Sequence, residues 1–173
     1  KSPSGFDMQK LESLNSHYIS TMDEGELCGL LIDEIRADIG RDLSQAEEVR
    51  LPLAIDALKE RSQTLVELAD KAGFLLDARP LAMEKKATKL IADDVPELLA
   101  KAHTCLSALT DWNKDVLSTA LRGLAETEGM KLGKLAQPLR AALTGRNASP
   151  GIFEVLYFLG RQESLDRISD HMK

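Results

Sequence analysis

Aromatic residues make up only 4% of this 173-residue chain: one Trp, two Tyr and four Phe. Base stacking on such a protein would rely on those few rings or on arginine planes. Cysteine is equally scarce. Cys28 and Cys105 lie far apart, each in an apolar helical run, and no CxxC occurs. That pattern predicts buried free thiols in a reducing compartment. The three histidines, His17, His103 and His171, show no metal-ligand spacing, and neither HExxH nor a Gly-rich phosphate loop followed by lysine is present. Ser, His and Asp occur together only as scattered letters, such as Ser16 beside His17. No metal site and no catalytic residue are therefore expected in this chain. No apolar run approaches the roughly 18 residues of a membrane span. The opening KSPSGFDMQK is polar and lacks the apolar region of a signal peptide. Cytoplasmic location and no membrane partner are the expectation. Without an initiator methionine, the chain is expected to be a processed or cut piece.

What is present is ordinary for a soluble globular protein: 43% apolar and 29% charged residues, enough for one domain or two small ones. The 28 acids and 22 bases give a net charge of −6. That argues against non-specific nucleic-acid binding by the whole surface, not against a local basic patch. Nearly every periodic stretch has helical spacing, so the fold class is expected to be all-α. Asp7 reads as an N-cap with a Phe6–Leu11 staple, and Met8, Leu11, Asn15 and Tyr18 share the face that follows. Leu27, Leu30, Leu31 and Ile35 form the next stripe, closed by Gly40. A helical region from 44 to 72 is expected to be interrupted at Pro52, and Arg79–Pro80 reads as a turn between two subdomains. Residues 84–109 suggest one or two helices with a break near 94–96. Asp111 is the expected cap of the Leu117, Leu121, Leu124 helix, which Gly129 closes. Pro138 is expected at the first position of a short helix stopping at Gly145. Pro150 and Gly151 open IFEVLYFL, which stops at Gly160, and residues 163–172 form the last helix.

Residues 129–153 contain no acid, although Lys131, Lys134, Arg140 and Arg146 all fall there. Two readings stay open from the residues alone. In one, Leu132, Leu135, Leu139 and Leu143 make this a core segment whose arginines complement a helix dipole. In the other, a corner carrying Arg146, Asn147 and Ser149 presents arginines and turn N–H groups to a polyanion.

The stretch KLGKLAQPLRAALTGRNASPGIFEVLYFLG strongly resembles the C-terminal anticodon-binding region of bacterial glutamyl-tRNA synthetases. FDMQKLESLNSHYI resembles that family's helix at the end of the stem-contact fold, with Ser16 where the family usually has Gly, and Trp112 falls where the family has a tryptophan. The resemblance implies the tail of a stem-contact fold at 1–22, then a two-part helical anticodon-binding cage at 23–82 and 83–173. It implies a ligase that charges tRNA-Glu with glutamate, with ATP and Mg2+ handled in a catalytic domain whose HIGH and KMSKS motifs are missing here, so this chain should be inactive alone. By motif position it implies anticodon contacts from Arg61, Arg140, Ser149, Pro150 and Ile152, and stem contacts from Lys10 and Asn15; Arg146, on the basic corner between them, is expected to join the anticodon contacts. The implied partner is tRNA, not DNA, bound by a monomer. Two alternatives remain: a catalysis-free helical interaction module, and a ligase that charges tRNA-Gln as well as tRNA-Glu.

Overall fold

The computed structural model describes residues 8–91 and 95–172, with side chains from residue 14 onward. Among the described residues every regular element is helical. The chain divides into two compact units, residues 1–73 and 74–173.

The first unit holds α1 (Met8–Thr21), α2 (Glu24–Ile39), α3 (Gln45–Lys59) and α4 (Leu65–Ala72). The Asp7 cap and its staple lie outside the described residues. Among the described side chains of α1, Ile19 is buried while Tyr18 is 58% exposed, so Tyr18 does not lie on the buried face. Asp23 caps α2 by accepting from the N–H groups of Gly25 and Glu26. Leu27, Leu31 and Ile35 recur at four-residue spacing and are buried; Leu30 is left outside the stripe. Gly40 ends the helix as expected, with φ of 68°.

Pro52 does not interrupt α3. Its missing N–H leaves the Glu48 carbonyl without a helical donor. Both residues face solvent, where water can serve that carbonyl, while Leu51, Ala54, Ile55 and Leu58 are buried on the opposite side. The break comes instead at 60–64. There Ser62 is buried and donates its hydroxyl to the Leu58 carbonyl at 2.8 Å, and Thr64 caps α4 by accepting from Glu67 N–H at 3.1 Å. The T-x-x-E spelling of a capping box marks this start in the sequence.

The second unit holds α5 (Lys85–Thr88), α6 (Val95–Ser107), α7 (Lys114–Thr127), α8 (Leu132–Thr144), α9 (Ile152–Leu159) and α10 (Arg161–Ser169), with a 3₁₀ turn at Lys89–Ile91; another, Gly73–Leu75, falls at the boundary. Helix α6 packs on α7 and α10, and α8 packs on α9, α10 and α5. Leu99, Leu106, Leu117, Leu121, Leu135, Leu139, Val155 and Ile168 are fully buried among them.

Asn113, not Asp111, caps α7: its Oδ1 accepts from Val116 N–H at 3.0 Å. Trp112 therefore precedes the helix, and its Nε1–H donates to the Leu156 carbonyl at 2.9 Å. Gly129 closes α7 with φ of 63°, and Met130 N–H reaches the Ala125 carbonyl at 2.9 Å. Pro138 lies inside α8 rather than at its start. It is buried, and the leucines on either side of it supply the burial that outweighs one missing helix hydrogen bond. The last helix starts at Arg161, directly after Gly160, rather than at Glu163. Arg79, at the expected subdomain turn, donates to Asp170 on both carboxylate oxygens, at 2.9 and 2.8 Å, so this segment is tied to the second unit.

Candidate nucleic-acid interface

The acid-free run folds into α8, a tight corner and the start of α9. Leu135, Leu139 and Leu143 are core, as the first reading of this run expects. No basic residue lies in the last turn of α8, so Arg140 is set back from the end of its dipole, while Arg146 follows directly on the Gly145 cap.

Gly145 makes the corner. Its φ is 67°, a left-handed conformation that costs an L side chain, and a Cβ there would lie 2.5 Å from the Ala82 carbonyl oxygen. Thr144, fully buried, ties the two arginine positions together. Its hydroxyl donates to the Arg140 carbonyl at 2.8 Å, and the same oxygen accepts from Arg146 N–H at 3.2 Å. Glu84 grips the corner from a distant segment: its N–H donates to the Gly145 carbonyl at 2.8 Å, and its Oε2 accepts from Asn147 N–H at 2.9 Å. Glu154 Oε2 accepts from Gly151 N–H at 3.0 Å at the start of α9. Two N–H groups suited to an anion thus already hold carboxylates from the chain itself.

The structure gathers five of the expected contact residues here. Arg140 is half-buried on α8, and its Nε is buried with no hydrogen-bond partner among the described residues. Arg146 is half-buried, with Nη2 at 3.4 Å from Asp77 Oδ2. Ser149 is half-buried and donates to the Pro150 carbonyl at 3.2 Å. Pro150 and Ile152 are buried, so they shape the corner rather than extend from it. Asn147 and Ala148 are the exposed tip.

Arg61, Lys10 and Asn15 belong to the first unit. Arg61 is exposed in the α3–α4 turn, and its carbonyl accepts from Lys71 Nζ, which also pairs with Glu67 at 2.6 Å. Asn15 is half-buried on α1; the Lys10 side chain lies outside the described residues. Trp112 acts as an anchor, held at the Leu156 carbonyl, with the Arg161 guanidinium 5.6 Å from its ring centroid.

Sequence reasoning missed two groups. Lys85, Lys86 and Lys89 are exposed on α5 and the turn after it, which pack against α8 and extend its basic character; the cluster EKKATK signals them. Asp77, Glu84 and Arg167 hold the corner, and no local pattern marks them, since the partners through which they do so lie 24 to 93 positions away. Arg167 is 1% exposed and donates from Nη1 to the carbonyls of Phe74 and Leu143, at 2.7 and 2.8 Å, and from Nη2 to that of Asp77 at 3.1 Å.

Comparison with known proteins gives the family of the chain. Glutamate–tRNA ligase 2 of Rhodospirillum centenum is 47% identical over all of this chain, and that of Paramagnetospirillum magneticum is 48% identical over 98% of it. The chain spans only 37% and 36% of those relatives' own lengths. A glutamate tRNA ligase of Elizabethkingia meningosepticum superposes with a TM-score of 0.80 over 96% of this chain and 32% of its own, at 22% identity, a likeness of fold. The anticodon binding domain family matches residues 25–172, and the chain belongs to that family.

Proposed function

We propose that this chain reads the anticodon loop of tRNA-Glu as the recognition part of a glutamate–tRNA ligase. The observation that carries the reading is Arg140. A guanidinium nitrogen buried without a partner is costly, and a functional role is one reason a fold keeps such a group. This one sits on the helix of the acid-free run, within a domain of the anticodon-binding family. Arg36 and Arg161 also bury one such nitrogen, but Arg36 has carboxylate partners and Arg161 lies over Trp112.

The work of this part is recognition at a distance from the chemistry. Unstacked loop bases offer edges that an arginine can meet with paired hydrogen bonds, and a wrong base leaves the guanidinium unpaired. A good bidentate contact discriminates by about 1–3 kcal/mol. In this proposal Arg140 and Arg146 read the loop from the second unit, and Pro150 and Ile152 set the shape of the corner around Ser149. Arg61 reads the third anticodon base and separates tRNA-Glu from tRNA-Gln, while Lys10 and Asn15 meet the stem. Transfer of glutamate, with ATP and Mg2+, is assigned to the part of such an enzyme that this chain does not span. A monomer acting in the cytoplasm belongs to the same reading. Among the described residues no helix is long and apolar enough to cross a membrane.

Fluorescence anisotropy at low salt tests it, with a glutamate-tRNA anticodon stem-loop and a twin differing only in the third anticodon base. The wild-type chain should prefer the cognate loop by about tenfold, and Arg140→Ala should weaken binding by at least about fivefold. Equal affinity for both loops would favour a ligase that charges both tRNAs. Unchanged binding by Arg140→Ala would make that arginine structural.

A further inference from the structure

A corner built to meet a polyanion is a poor place for carboxylates, because each one repels phosphate. Yet Asp77 and Glu84 flank it. They are not loose surface charges. The backbone of Asp77 is held by the buried Arg167, whose guanidinium also takes the Leu143 carbonyl near the end of α8. The segment that carries Asp77 and the helix end that leads to Arg146 therefore hang on one side chain. The Asp77 carboxylate is aimed from that frame at Arg146, whose side chain is only 23% exposed. Glu84 makes a two-point clamp, giving its N–H to Gly145 and taking that of Asn147. Arg79, paired with Asp166 of α10 and with Asp170 just after it, fixes the stretch between the two acids.

Resting on the anticodon reading above, we propose that Asp77 and Glu84 are positioning residues. They hold the Arg146 guanidinium and the Asn147 backbone in the geometry that meets RNA before RNA arrives. Fixing a long arginine in its bound rotamer removes an ordering cost from binding, and that gain offsets the repulsion of two acids. It also sharpens discrimination, because a guanidinium held in place cannot swing to suit a wrong base.

The test is a double-mutant cycle read by stem-loop affinity and by the ratio of affinities for cognate loop and single-base twin. Arg146→Ala should weaken cognate binding by about five- to tenfold, and Asp77→Ala should weaken it nearly as much. The Asp77→Ala/Arg146→Ala double variant should be no weaker than Arg146→Ala alone. Asp77→Asn, which keeps an acceptor oxygen, should recover part of the loss, and Glu84→Gln should bind better than Glu84→Ala. The discrimination ratio should fall with Asp77→Ala while the thermal midpoint stays near that of the wild type. Tighter binding by Asp77→Ala would mean that the carboxylate merely competes with phosphate, and would overturn the proposal. Additive losses, or an Arg146→Ala chain that binds normally, would overturn it as well. A wild-type chain that binds neither loop sinks the anticodon reading and this proposal together; the other overturning outcomes sink this proposal and leave Arg140 to carry that reading.

Discussion

At Gly145 the backbone turns with φ of 67°, and the Ala82 carbonyl oxygen stands 2.5 Å from where a Cβ would be. Either constraint disfavours a side chain, and the neighbouring atom belongs to the backbone, so it cannot swing aside. Gly145→Ala should cost at least about 2 kcal/mol in a denaturant titration. It should also weaken stem-loop binding, because Arg146 and Asn147 follow directly. Part of this was legible in the sequence: a glycine after a leucine-rich helix reads as a stop. The second constraint was not, because nothing near position 145 announces Ala82. The arginines divide in the same way. The acid-free run singles out Arg140 and Arg146, but which nitrogen is left without a partner, and which is held by Asp77, depends on segments distant along the chain.

The start of α3 shows what one element holds through local chemistry. Ser44 and Glu47 form a reciprocal capping box, with Ser44 N–H donating to Glu47 Oε2 at 2.7 Å. Arg41 grips the same carboxylate through two nitrogens, at 3.0 and 2.7 Å. The Arg41 hydrogen bonds, set against some burial and helped by those from Ser44, hold the Glu47 carboxyl down at about 2. A carboxyl depressed in the folded state stabilises above its unfolded pKa and loses that contribution as pH falls through the folded value. The loss therefore runs from about pH 4.5 down to about 2. Discounted for the solvent around Arg41, it amounts to roughly 2 kcal/mol. Glu47→Gln should flatten that part of a stability–pH profile measured by thermal melts. Other elements resisted local reading. Pro52 reads as an interruption and Pro138 as a helix start, yet both sit inside helices, because buried leucines on the opposite face or beside them outweigh one missing hydrogen bond.

Across the whole molecule, the expected contact residues are shared between two compact units, Arg61 in one and Arg140 in the other. Because they belong to different units, their effects on binding should add. The free-energy loss of Arg61→Gln/Arg140→Ala should equal the sum of the single losses within about 0.5 kcal/mol. Arg61→Gln alone should narrow the preference for the glutamate anticodon, and an unchanged ratio would remove Arg61 from the reading.

The amino-acid order determined what acts over a few residues. It set the all-helical class through apolar spacing, the stops at Gly40, Gly129 and Gly145 through left-handed backbone, the core leucines, and the motif from 131 to 154. Tertiary structure alone decided that prolines run through α3 and α8, and that Asp77, Glu84 and Arg167 frame the corner. The reason is one of range. Helix propensity and glycine stops are settled by near neighbours, whereas a buried guanidinium takes whichever carbonyls the packed chain brings within hydrogen-bonding distance.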